Sequence, residues 1–159
     1  MKKPALLLLP LLLLLLALPS PSLALVEVGA GLTITSFEDD LDGVDTDSGT
    51  ALELTLGSGS ARLMFALQSS SHDQGDYDAL MGGVSFNLDL ESFKPRIYAL
   101  IGNHEFESID GWGVTLGGGV SWPLSTVASF GLDMRISQWE GDSYDVRTGT
   151  LQVLLSVGF

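Results

Sequence analysis

The stretch Leu151–Phe159, LQVLLSVGF, puts apolar side chains at Leu151, Val153, Leu155, Val157 and Phe159, with Gln152, Ser156 and Gly158 between them and Leu154 the one exception. A period of two marks a β-strand with one apolar face. In a soluble sheet such a strand usually frays or turns polar at its end, because an exposed apolar edge invites aggregation. Here the pattern runs undiminished to an aromatic ring. Both the face and the edge of this strand therefore need a cover.

The first residues narrow what that cover is. MKKPALLLLPLLLLLLALPSPSLA carries Lys2 and Lys3, then a leucine-rich run, then small residues at Ser22 and Ala24. This is the layout of a secretory signal peptide, with cleavage expected after Ala24. Pro10, Pro19 and Pro21 interrupt the run, which leaves it short of the roughly 20 apolar residues of a membrane-spanning helix. The expected division is residues 1–24 as signal peptide and residues 25–159 as one exported domain.

Without Lys2 and Lys3, five basic side chains face 20 acidic ones. So acidic a chain is a poor partner for nucleic acid, whose phosphates need a basic patch. The sequence has no cysteine, which excludes disulfides, a thiol nucleophile and thiolate metal sites.

Beyond residue 25, apolar residues recur at alternate positions in segments separated by Gly, Ser, Asp and Pro, the signature of successive strands. Eight are expected: Leu25–Phe37, Thr50–Leu56, Ala61–Ser69, Asp78–Leu88, Pro95–His104, Gly111–Trp122, Val127–Gln138 and Val146–Phe159. Several approach the roughly 9 to 11 residues of a strand that crosses a bilayer. The connections alternate as well. EDDLDGVDTDSG, SSHDQGDY, EFESID and WEGDSYD carry most of the acidic residues, whereas GSGS, DLESFK and PLST carry few. An even strand number, with short turns at one rim and longer polar loops at the other, predicts an all-β, eight-stranded, antiparallel up-and-down transmembrane barrel.

Two aromatic girdles are expected at the membrane interfaces. Phe37, Tyr77, Phe106, Trp112, Trp139 and Tyr144 would form the acidic one, and Phe93, Tyr98, Trp122 and Phe159 the other. The opposite strand faces are small and polar, as at Thr33, Thr35, Gln68 and Thr115, and would line the lumen. Buried charges need partners. Glu27, Glu53 and Asp133 are expected to pair there with Arg62, Arg135 and Arg96, closing a lumen that about eight strands leave just wide enough for side chains. For the strand near residues 95–104 the facing stays open: Ile97, Ala99 and Ile101 compete with Tyr98 and Leu100 for the outside.

From FKPRIYALIG through GWGVTLGGGVSWPLSTVASFGLDMRISQW to LQVLLSVGF, the chain resembles the small eight-stranded outer-membrane barrels of the OmpX, Ail, NspA and opacity-protein type. The resemblance implies a Gram-negative outer membrane, contact with its lipid and lipopolysaccharide, and a structural or adhesive role without enzymatic activity. It also implies that Leu151, Val153, Leu155, Val157 and Phe159 form the signal read by the barrel-assembly machinery. A narrow channel for small or hydrophobic solutes is the alternative, and a lipid A-modifying enzyme a third reading.

The residues offer little for catalysis. His72 and His104 are the only histidines; with Ser69, Ser70, Ser71, Asp73 and Glu105 they supply the residue types of acyl transfer, but they are expected in solvated loops, and neither stands in the His-x-Ser pattern of the deacylase barrels. Glu38, Asp40 and Asp42 before Gly43 imitate a calcium loop that lacks its final Glu, Gly49 standing there. No resident cofactor or metal is expected. Divalent cations at the acidic loops, beside lipopolysaccharide phosphates, remain a partner expectation.

Overall fold

A computed structural model describes residues 26–39, 43–72, 75–88, 90–106, 109–140 and 145–159, with backbone alone at 38, 39, 43–45 and 72. The expected signal peptide lies outside the described residues. Eight strands follow one another: β1 (Val26–Asp39), β2 (Gly43–Leu56), β3 (Ala61–His72), β4 (Gly75–Asn87), β5 (Lys94–Phe106), β6 (Ile109–Pro123), β7 (Ala128–Glu140) and β8 (Asp145–Gly158). Each pairs antiparallel with the next, and β8 pairs with β1 to close the barrel. Val26 N–H donates to the Phe159 carbonyl at 3.1 Å, and Phe159 N–H returns the bond at 2.8 Å. Closure is what covers the edge of LQVLLSVGF, since a closed sheet has no edge.

The register fixes the shape. Paired residues followed once around from Val28, through Leu54, Phe65, Gly82, Ile101, Val114, Gln138 and Arg147, return to β1 at Glu38. That offset tilts every strand against the barrel axis.

Alternation sends the apolar set outward. Leu32 is 70 % exposed and the next residue, Thr33, 2 %. Leu52, Leu67, Leu80, Leu116, Ile136, Leu151 and Leu155 are exposed in the same way, while Thr35, Glu53, Gln68, Thr115, Asp133 and Arg135 are buried inside. The open question in β5 is answered too: Ile97 and Ile101 face out, Tyr98 and Leu100 face in. In water this arrangement would expose a continuous apolar belt far beyond the patch size soluble monomers carry. A hydrocarbon solvent satisfies it, because all backbone bonds of the spanning part are made within the closed sheet.

The strands are longer than expected at the acidic rim, and this corrects the loop reading. β2 starts at Gly43, so only residues 40–42 connect it to β1, and residues 73–74, 107–108 and 141–144 form the other connections there. Those at the opposite rim, Gly57–Ser60, Leu88–Phe93 and Leu124–Val127, are no shorter. Much of EDDLDGVDTDSG is strand, with Gly49 inside β2, so the twelve-residue calcium-loop pattern does not form a loop. What distinguishes the rims is that the strands continue past the apolar band into a collar. Its outward face carries Asp76, Asp78, Glu105, Asp110, Gln138, Glu140 and Arg147, all exposed.

Candidate functional site in the barrel lumen

Inward side chains fall into layers that repeat from strand to strand. Along β7, from the rim opposite the acidic collar upward, the inward series is Gly131, Asp133, Arg135, Ser137, Trp139; along β1 it is Gly29, Gly31, Thr33, Thr35, Phe37; along β8 it is Leu154, Gln152, Thr150, Thr148, Val146. Charge lies low, hydroxyls in the middle and rings at the top.

The charged layer is a belt across the lumen. Arg96 pairs with Glu53 at 2.7 Å and with both carboxylate oxygens of Asp133, and Arg135 pairs with the other Glu53 oxygen at 2.9 Å. Gln152 donates to Glu53 at 2.9 Å and accepts from Arg135. Both guanidinium groups lie over the Tyr98 ring, Arg96 at 5.4 Å and Arg135 at 5.9 Å from its centroid, within cation–π range. β6 supplies the room: a Cβ on Gly117 would fall on the Tyr98 ring, and one on Gly119 on the Asp133 carboxylate. The glycine-rich strand is thus the complement of large inward residues on β5 and β7.

Glu27 and Arg62 sit lower, 3.4 Å apart and partly solvated. They line an open vestibule of about 150 Å³ at the rim opposite the acidic collar, together with Asn87, Lys94, Arg96 and Asp133. Arg96 is the residue that joins both buried carboxylates.

Above the belt, Gln68 donates to Thr35 at 2.8 Å and to Thr150 at 3.2 Å, and Thr115 and Ser137 share a hydrogen bond of 2.7 Å. Higher still, the expected outer girdle turns inward. Phe37, Tyr77 and Trp139 are buried inside the barrel, with Phe106 packed against them. Trp112 does face outward, and Tyr144 lies outside the described residues. His104 is not a solvated loop residue: it stands in β5, fully buried, stacked on Trp139 and 2.9 Å from the Tyr77 hydroxyl through Nδ1. Parity already marked Trp139, which is in step with the lumen residue Arg135; His104 was unmarked because the facing of its strand was open. At the other rim Phe93, Trp122 and Phe159 face outward, whereas Tyr98 is in the lumen.

Among the described residues, the acyl-transfer residue types are not brought together. His104 points inward and Glu105 outward, Ser70 is buried while Ser69 and Ser71 face out, and Asp73 and the His72 side chain lie outside the described residues. Leu151, Val153, Leu155 and Val157 form one outward row on β8, continued by Phe159 just beyond it.

No protein-family model and no curated protein matches the sequence. Solved structures match the fold. Neisserial surface protein A (NspA) aligns over 84 % of this chain and 97 % of its own with a TM-score of 0.75 at 14 % identity. Ail, the attachment invasion locus protein of Yersinia pestis, aligns over 86 % of this chain and 99 % of its own, with a TM-score of 0.63 at 16 % identity. Ail in complex with the heparin analogue sucrose octasulfate gives 0.57 at 15 % identity, over 86 % and 99 % of the two chains. The closed register, the apolar exterior, the charged lumen and these likenesses agree: the chain has the fold of the small eight-stranded outer-membrane barrels.

Proposed function

We propose that this chain is a non-enzymatic, non-conducting barrel of a Gram-negative outer membrane, exported by a cleaved leader, whose acidic collar meets other surfaces. The observation that carries the reading is the change along each strand's outer face. β5 passes from Ile97 and Ile101 to Asn103 and Glu105, β7 from Ile136 to Gln138 and Glu140, and β4 from Leu80 to Asp78 and Asp76. An apolar band of three to six outward positions per strand suits a hydrocarbon layer roughly 25 Å thick, and the polar extension suits exposure beyond it. The ion-paired belt and the rings above it support a lumen closed at rest.

Collar charge shapes the partners. Glu105 lies directly opposite Asp78 on one side and Asp110 on the other, and Glu140 opposite Asp145. Like charges so placed repel. Among the described residues no three such groups form a self-contained metal site, so divalent cations here would be shared with lipopolysaccharide phosphates. A collar of this sign differs from one suited to a polyanion such as the heparin analogue in the Ail complex, and favours basic or cation-bridged surfaces. For assembly, the row Leu151, Val153, Leu155, Val157 and Phe159 is the surface offered to the barrel-assembly machinery.

The test is expression in a Gram-negative host with envelope fractionation, followed by adherence of intact cells to basic and acidic coated surfaces with and without magnesium. Outer-membrane recovery with collar-dependent adherence supports the proposal. Recovery in the periplasm, or adherence unchanged when Glu105 and Asp110 are replaced by Gln and Asn, overturns its location or its collar respectively.

A further inference from the structure

The apolar band is not of even height. β6 carries it over six outward positions, Trp122, Val120, Gly118, Leu116, Val114 and Trp112. β2, on the opposite side of the closed barrel, carries it over three, Leu56, Leu54 and Leu52. Outward positions come at every second residue, and a strand that rises about 3.3 Å per residue at a tilt of roughly 40° gains about 5 Å of height for each of them. The band is therefore roughly 30 Å tall at β6 and roughly 15 Å tall at β2, against a hydrocarbon layer of roughly 25 Å.

The missing height is at the collar end. At the other end Leu56 pairs with Val26 and Leu63, near the beginnings of β1 and β3. Above Leu52, Thr50 stands opposite Ser69 of β3, and Thr46, Ser48 and Ser71 continue upward, all of them exposed. The register offset from Val28 to Glu38, shared over the eight strands, sets the level around the barrel. By that offset Val114 of β6 stands within about one residue of the height of Thr50 and Ser69. One level thus carries hydroxyls on one flank and an exposed valine, with Trp112 above it, on the other. Tilting the whole barrel does not reconcile the two. A tilt that lowers the collar-side boundary at β2 carries the turn Gly57–Ser60 into hydrocarbon and lifts Trp122, Leu124 and Val127, all exposed, out of it.

We propose, resting on the outer-membrane reading, that the β2–β3 flank is a headgroup-docking face: phosphate-bearing lipid headgroups of the collar-side leaflet descend against it to the level of Thr50 and Ser69, and the bilayer is thinner there than at β6. A hydrophobic surface too short for its bilayer is accommodated by local thinning. The chemistry of the face suits that occupant. Hydroxyls donate to phosphate and sugar oxygens, and no carboxylate stands among the outward positions from Thr46 to Thr50 or from Ser69 to Ser71. The acidic series begins at β4, with Asp78 opposite Ser69 and Asp76 opposite Ser71. These carboxylates repel phosphate, which bounds the face and centres it on β2. Below the hydroxyls, Leu52, Leu54, Phe65 and Leu67 leave the acyl chains an apolar wall.

The absence of cysteine from the sequence makes single labels specific. Thr50→Cys, Ser69→Cys and Val114→Cys each take an environment-sensitive fluorophore, in barrels reconstituted into bilayers of phosphatidylcholine and phosphatidylglycerol that carry a nitroxide either on the headgroup or deep on the acyl chain. Heat-dependent gel mobility establishes that each labelled chain is a closed barrel. The headgroup nitroxide is expected to quench the labels at the positions of Thr50 and Ser69 more strongly than the chain nitroxide does, and the order to reverse at the position of Val114. Chain quenching that dominates at all three positions would overturn the docking face and leave the membrane barrel standing. Labels on β2 and β3 spared by both nitroxides would overturn it as well, and cross-linking of unlabelled Thr50→Cys barrels to one another would then assign the flank to a second copy of the chain. Headgroup quenching that dominates at Val114 too would contradict the outer-membrane reading itself.

Discussion

The imidazole of His104 lies face to face with the indole of Trp139, ring planes 8° from parallel and centroids 4.8 Å apart. Both rings are buried in the collar end of the lumen, where Tyr77, Phe37 and Val146 complete the packing. Trp139→Ala removes the central ring of this stack. It is expected to lower barrel stability by about 3–5 kcal/mol, the usual loss for a large aromatic in a packed core. Trp112→Ala, on the outward face, is expected to lose less. Urea titrations in detergent, followed by gel mobility of the folded band, compare the two.

Glu53 holds two guanidinium groups at once, and the two ion pairs at the belt and at the vestibule differ in kind. Glu53→Gln leaves Arg96 with Asp133 alone and Arg135 without a carboxylate, deep in the lumen. Breaking a buried pair from one side typically costs about 3–5 kcal/mol. Glu27→Gln, in the partly solvated 3.4 Å pair with Arg62, should cost under about 1 kcal/mol. The same titration reads both, and equal losses would contradict a belt that is dry and a vestibule that is wet.

Two inward glycines make opposite predictions. A Cβ on Gly119 would collide with the Asp133 carboxylate and the Leu132 carbonyl, whereas one on Gly131 finds its nearest neighbours at 3.7 Å. Gly119→Ala is expected to abolish the heat-modifiable band. Gly131→Ala should stay within about 0.5 kcal/mol of the native barrel.

Outward positions read the height of the membrane. Ile97→Arg, in the apolar band, is expected to destabilise insertion into lipid vesicles by about 2–4 kcal/mol. Asp110→Lys, in the collar, turns its cross-strand repulsion with Glu105 into attraction and is expected to stabilise by roughly 0.2–1 kcal/mol. Refolding yields at graded urea concentrations separate the two signs.

The strand number and the direction each face points were legible because alternation has a single reading once one strand is anchored, and LQVLLSVGF anchors it. β5 resisted because Ile97 and Tyr98 are both large and apolar in part. Only the register, which sets Tyr98 opposite Gly117, tells which ring has room inside. The rings at the collar end, expected as an outer girdle, were misjudged for a related reason: amphipathic rings suit a membrane interface as well as a lumen, and composition does not separate the two. Parity does, and Trp139 in step with Arg135 was the available signal. Loop lengths failed because Asp, Gly and Ser read as loop, although a strand beyond the hydrocarbon needs no apolar face and pairs through its backbone alone.

The three tryptophans measure whether lipid lies outside the barrel and the lumen inside. Single-tryptophan barrels are made by replacing the other two with Phe, then reconstituted into bilayers with and without brominated acyl chains. Trp112 and Trp122, which face outward, are expected to be quenched by the brominated lipid, and Trp139 to be left bright and unresponsive. Quenching of Trp139 with sparing of Trp112 and Trp122 would mean that the apolar faces point inward, and would contradict the membrane barrel at its foundation.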